Sequence, residues 1–167
     1  LEFSRFLNSN EVRYLLIGGH AVGYHGWARN TRDIDFWIAA DSQNQSRTIA
    51  ALRSFAFADA PDDLFAGERA VVRFGVPPYR IEIPKTISGI GFEEAWPRRV
   101  YWEDGDERIP IIGLAELRRN KAASGRAQDL ADLEHLPPAE LAESILAKEK
   151  QIAAIMDEIK SLLAKGG

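Results

Sequence analysis

The sequence predicts a mixed α/β fold, a mixed β-sheet flanked by helices, with a helical C-terminal segment. Three observations lead there. Short apolar runs with β-branched and aromatic residues, Tyr14-Leu15-Leu16-Ile17 first among them, are cut off sharply by glycine, proline or aspartate, as buried strands are. Longer stretches carry apolar residues at helical spacing. An Asp104-Gly105 dipeptide lies between two further apolar runs, a hairpin signal.

In chain order, residues 2–8 are expected to be helical, 12–17 a strand, 20–27 a helix and 33–39 a strand. Residues 43–56 read as an amphipathic helix with Ile49, Leu52 and Phe55 inward. Strands over 69–76 and 79–84 are separated by Pro77-Pro78, and Pro84 suits a strand end because it cannot donate to a ladder. Strands over 100–103 and 108–112 flank the Asp104-Gly105 turn, so the acidic cluster Glu103, Asp104, Asp106 and Glu107 reads as a solvated turn rather than a metal site. Helices follow over 114–123 and 126–135, interrupted by Ser124-Gly125. Pro137-Pro138 precedes a last helix over 139–165, whose Leu141, Ile145, Ile152, Ile155, Ile159 and Leu162 form a core or partner stripe.

The chemistry concentrates at Gly18-Gly19 and at Asp33-Ile34-Asp35-Phe36-Trp37-Ile38. Glycines at a strand-to-helix junction can take positive φ and let backbone approach a ligand, and a helix start favours an anion such as phosphate. Alternation puts Asp33 and Asp35 on one strand face and Ile34, Phe36 and Ile38 on the other. Paired carboxylates repel and resist desolvation, so a cation is expected to compensate them. Magnesium suits such oxygens because it takes one or two protein carboxylates and fills its shell with water and phosphate. The bland alternative is a pair of surface aspartates at a solvated strand end.

Leu16 to Gly26, followed by Arg29-Asn30-Thr31-Arg32-Asp33-Ile34-Asp35, resembles the nucleotidyltransferase superfamily related to DNA polymerase β, and within it the AbiEii-like nucleotidyltransferases, many of them toxins. A second block, Leu117 to Leu133, is similar to that family's lysine and Arg-x-x-Asp-x-x-Asp helix. The resemblance implies a nucleotidyltransferase catalytic core over 1–113 and a helical segment over 114–167 that completes the nucleotide site. It implies a magnesium-dependent enzyme moving a nucleoside monophosphate from an NTP to an acceptor such as a tRNA 3′ end, with a cognate antitoxin as partner. Asp33 and Asp35 would hold two magnesium ions, with Glu82 as the third metal-binding and catalytic carboxylate or the base. Aspartate is the usual residue there, and glutamate carries its carboxylate about a bond length further, ~1.5 Å; pairing of Glu82 with Arg73 or Arg80 is the alternative. Gly18, Gly19, Arg32, Lys121 and Asp129 would bind nucleotide, and a helix-pinning salt bridge is the alternative for Lys121 and Asp129. His20 is assigned nothing beyond a nucleotide contact. An aminoglycoside- or lincosamide-type small-molecule nucleotidyltransferase shares the Gly-Gly turn and acidic pair, and an inactive member binding a partner is the third reading.

Composition narrows the choices. The 167 residues suit about one domain, and the absence of cysteine excludes disulfides and thiolate metal sites. A net charge of −4 argues against a broad phosphate-tracking surface, while leaving room for a local basic patch from Arg29, Arg32, Arg118, Arg119, Lys121 and Arg126. With no long apolar run and no leader pattern, cytoplasmic residence without a membrane partner is the expectation.

Overall fold

The structure, a computed structural model, describes residues 2–28, 30–76 and 80–138, together with 144, 148, 151–152, 154–156 and 160. The chain divides into two units, Leu1–Leu136 and Pro137–Gly167. The boundary expected at 113/114 falls inside the first.

The first unit is built on a six-stranded mixed sheet in the order β3-β4-β2-β1-β6-β5. Its strands are β1 (Tyr14–Ile17), β2 (Asp33–Ile38), β3 (Val71–Phe74), β4 (Arg80–Pro84), β5 (Val100–Asp104) and β6 (Glu107–Ile111). The central β1 is buried throughout. It runs antiparallel to β2 and parallel to β6, while β2 and β4 are parallel. The mixed α/β expectation is therefore met.

Helices α1 (Glu2–Ser9) and α3 (Ser42–Phe55) cover the face that carries Phe36. Phe3 of α1 meets Phe36 edge-on at 5.6 Å and Phe55 of α3 at 5.1 Å. Aromatic pairs at these separations add modestly to the area they bury. Asp41 caps α3 by accepting from the Asn44 amide, and the buried Asn44 side chain bonds both Arg13 and Ala39, tying the helix start to the ends of β1 and β2. Ile49 and Leu52 are buried as the spacing requires.

The opposite face carries Asp33, Asp35 and Trp37. Trp37 is buried, donates to the Lys85 carbonyl at 3.1 Å and meets Phe92 edge-on at 5.1 Å. Only the first half of β2 thus leaves its carboxylate face open. Phe92 belongs to a short helix, α4 (Phe92–Ala95), followed by a 3-10 turn over Trp96–Arg98. Neither element is among those the sequence predicts, because runs of four and three residues are too short to show a helical period.

Helix α2 (Gly18–Tyr24) starts directly at the end of β1, two residues before its expected start, and ends three before its expected end. The hairpin turns at Gly105 with φ +65°, as Asp104-Gly105 requires. Glu107 does not belong to a solvated turn: it accepts from Asn8 of α1 at 2.7 Å. Helices α5 (Leu114–Ser124) and α6 (Ala127–His135) are separated by left-handed Gly125, whose amide donates to the Lys121 carbonyl. In the second unit the described residues beyond Pro138 are helical, and Ile152 and Ile155 are exposed; Leu141, Ile145, Ile159 and Leu162 of the expected stripe lie outside the described residues. No described helix is long and apolar enough to cross a membrane.

Candidate active site

Strand register assembles the acidic group. Parallel pairing of β2 with β4 sets Asp33 beside Arg80 and Asp35 beside Glu82, while antiparallel pairing with β1 sets Ile17 opposite Asp35. Three carboxylates thus share one sheet face at the point where β1 gives way to α2. Gly18 has φ +65°, and a Cβ there would stand 2.0 Å from Asp35 Oδ2. Glycine is needed at 18 on two counts, a left-handed backbone and the space that the Asp35 carboxylate occupies. Gly18 and Gly19 both line a cleft of about 360 Å³, together with Asp33, Asp35, Glu82 and Lys121.

Each carboxylate has a distinct environment. Asp33 Oδ2 accepts from Arg80 Nη2 at 2.6 Å, while Asp33 Oδ1 is buried without a partner. Glu82 Oε1 accepts from Arg73 Nε at 2.9 Å and lies 3.3 Å from Arg80 Nη2, so both arginines weighed as its partners are engaged. Asp35 is pushed up to about 6, first by burial and then by the like charges of Glu82 and Asp33, against a smaller pull from Lys121 and Arg126.

Lys121 rises from α5 into the floor of the cleft. Its Nζ lies 2.5 Å from Asp129 Oδ1 and 2.8 Å from Asp132 Oδ2, and all three side chains are almost fully buried. Arg126 Nε donates to the other Asp129 oxygen at 2.6 Å. Burial raises the Asp129 carboxyl, but hydrogen bonds from Arg126, Lys121 and Ser124 outweigh it and hold the group at about 2. The second block therefore carries a helix-pinning network, of which Lys121, Arg126 and Asp129 also line the cleft. Arg32 is exposed at the cleft, and Arg29 lies outside the described residues.

The other cations of that block turn away. Arg118 donates to the Leu133 and Leu136 carbonyls at the end of α6, and Arg119 pairs with Glu94. Among the histidines, His25 donates from Nε2 to the Ile112 carbonyl at 2.8 Å and is lowered by burial, which keeps it neutral. His135 stacks on Trp27 at 3.7 Å. His20 lines an adjoining cavity with Tyr24 and Trp102.

Arg80, expected only as a partner for Glu82, pairs with Asp33 as well. The signal was present in part: Arg80 and Glu82 are two apart on one strand and must share a face. That this face adjoins Asp33 depends on strand order.

The donor set fits magnesium in kind. It offers hard carboxylate oxygens, one of them buried and unpartnered. Among the described residues no three acidic or histidine side chains already converge on one ion position.

No family model matches the chain, and no curated protein matches it. Among solved structures it is similar to the crystal structure of an antigenic nucleotidyltransferase-like protein from Paracoccidioides brasiliensis, at 14% identity and a TM-score of 0.46, over 91% of this chain and 85% of that one. So distant a likeness does not bear on the chemistry, which rests on the cleft itself.

Proposed function

We propose that this protein is a magnesium-dependent nucleotidyltransferase that moves a nucleoside monophosphate from an NTP to an acceptor hydroxyl. The observation supporting this is the adjacency of Asp33, Asp35 and Glu82 on one sheet face beside Gly18, with Lys121 and Arg126 below and Arg32 at the cleft. In the reaction the acceptor oxygen forms a bond to the α-phosphorus, the bond from that phosphorus to the bridging oxygen breaks, and pyrophosphate leaves. Asp33, Asp35 and Glu82 would hold magnesium, which when bound supplies Lewis-acid polarisation of the triphosphate and acidifies the attacking hydroxyl. Gly18 and Gly19 keep side chains out of the triphosphate's path. Glu82 would complete the cation site or take the hydroxyl proton as the base. Lys121 and Arg126 contribute fixed positive charge on which negative charge can build, held in place by Asp129 and Asp132 rather than reorganised during the reaction.

For the acceptor we follow the resemblance of the two motif blocks and infer a tRNA 3′ end, which would make the protein a toxin controlled by a cognate antitoxin. The test is incubation with α-labelled NTPs and magnesium in the presence of total RNA, a small-molecule fraction or aminoglycoside and lincosamide drugs. Label is expected in RNA of tRNA size, and it should vanish with Asp33→Ala or Asp35→Ala. Undiminished labelling in EDTA would overturn the reading, while label in a small molecule would overturn the tRNA acceptor alone.

A further inference from the structure

Arg80 stands against the carboxylates that would take a cation, and its bonding there is incomplete. Its Nη2 reaches Asp33 Oδ2 at 2.6 Å and Glu82 Oε1 at 3.3 Å. Among the described residues, the buried side-chain polar atoms without a partner are Arg80 Nε and Asp33 Oδ1, one from each side of this same ion pair. A guanidinium and a carboxylate ordinarily satisfy each other two against two, through parallel bonds. Here the pair is joined at one point. The Lys121 cluster a few residues along the cleft shows the settled alternative: one ammonium is nearly sealed between Asp129 and Asp132. The Arg80 side chain is instead 36% exposed, with solvent into which it can turn. The register of β4 against β2 keeps its Cα beside Asp33 wherever the guanidinium goes.

We propose that Arg80 is a stored counter-ion. It neutralises Asp33 and Glu82 while no divalent cation is bound and competes with that cation for the same oxygens. Once displaced, it turns its guanidinium to the phosphates of the nucleotide, which a planar fork of donors suits. Arg73, on Glu82 at 2.9 Å, stays as the residual counter-charge. The identity of the anion rests on the nucleotidyl-transfer reading, and the competition with the cation does not.

The full chain without nucleotide is titrated with Mn2+, free ion being followed by electron paramagnetic resonance. Arg80→Gln should bind Mn2+ about tenfold more tightly than wild type, within the usual range of coupling between ligands sharing a site. Arg80→Lys should stay near wild type. With Mn2+ saturating, calorimetry should show inorganic tripolyphosphate binding about tenfold more weakly to Arg80→Gln. Equal or weaker Mn2+ binding by Arg80→Gln would make Arg80 a structural arginine and overturn the inference, as would unchanged tripolyphosphate affinity. If wild type and Arg80→Gln both fail to bind Mn2+, the acidic site is not a cation site and the proposed function fails with it. Should Arg80→Gln not fold, the Nε–H resonance of Arg80 in wild type decides: it should move on Mg2+ addition, and an unmoved resonance overturns the proposal.

Discussion

Asp35→Asn should make the protein more stable and inactive at once. Asp35 is raised from 3.8 to about 6 by burial and by the charges of Glu82 and Asp33, with the attraction of Lys121 and Arg126 already set against them. At about 1.4 kcal/mol per tenfold change in acidity, keeping this carboxylate charged in the folded state costs roughly 3 kcal/mol. The sign follows from proton counts. Below about pH 3.8 both states hold the proton and the cost is absent. Between 3.8 and about 6 the folded state keeps a proton that the unfolded chain has lost, so stability falls as pH rises through that window. Above about 6 the full cost stands. Asparagine keeps the shape and removes the charge, so at pH 7.5 the variant should melt roughly 5 to 10 °C above wild type. Thermal melts by circular dichroism from pH 4 to 8 measure it, and the gap should close toward pH 4. Magnesium should raise the wild-type melting temperature and leave the variant unmoved. A variant less stable at pH 7.5, or a gap that does not vary with pH, would refute the reasoning.

Lys121→Ala removes the buried ammonium that Asp129 and Asp132 share, so it should cost about 3 to 5 kcal/mol in urea unfolding, and an unchanged midpoint would show that the cluster is not a structural pin. Asp129→Asn should lose about 2 kcal/mol at pH 7 and flatten the acid limb of the stability curve, because the wild-type carboxylate contributes stability above about pH 3.8 that disappears as pH falls through about 2. Gly18→Ala meets both a left-handed backbone and the Asp35 carboxylate. It should abolish nucleotidyl transfer and Mn2+ binding and lower stability by at least ~1 kcal/mol; retention of full Mn2+ affinity would show that Asp35 can move aside.

Several parts of this protein were legible in the chain because they are local. Alternation along one strand forces Asp33 and Asp35 onto a common face, a Gly-Gly pair ends β1, and Asp104-Gly105 turns a hairpin, whatever the rest of the molecule does. Gly125 likewise separates α5 from α6 by its own backbone freedom. The sheet order decided the rest. Glu82 joins the aspartates only because β4 lies parallel beside β2, and the same pairing brings Arg80 to Asp33, a contact across 47 positions that no spacing rule reveals. Trp37 shares a face with the carboxylates and is still buried, because Phe92, in a helix too short to leave a periodic trace, comes to rest on it. Lys121 could be read as a free phosphate ligand or as a pin. Which carboxylates surround an ammonium depends on how α5 packs on α6, and only that packing shows Asp129 and Asp132 enclosing it. Local geometry follows from residue type and period, whereas the partner of a buried charge is set by whichever distant segment fills the space beside it.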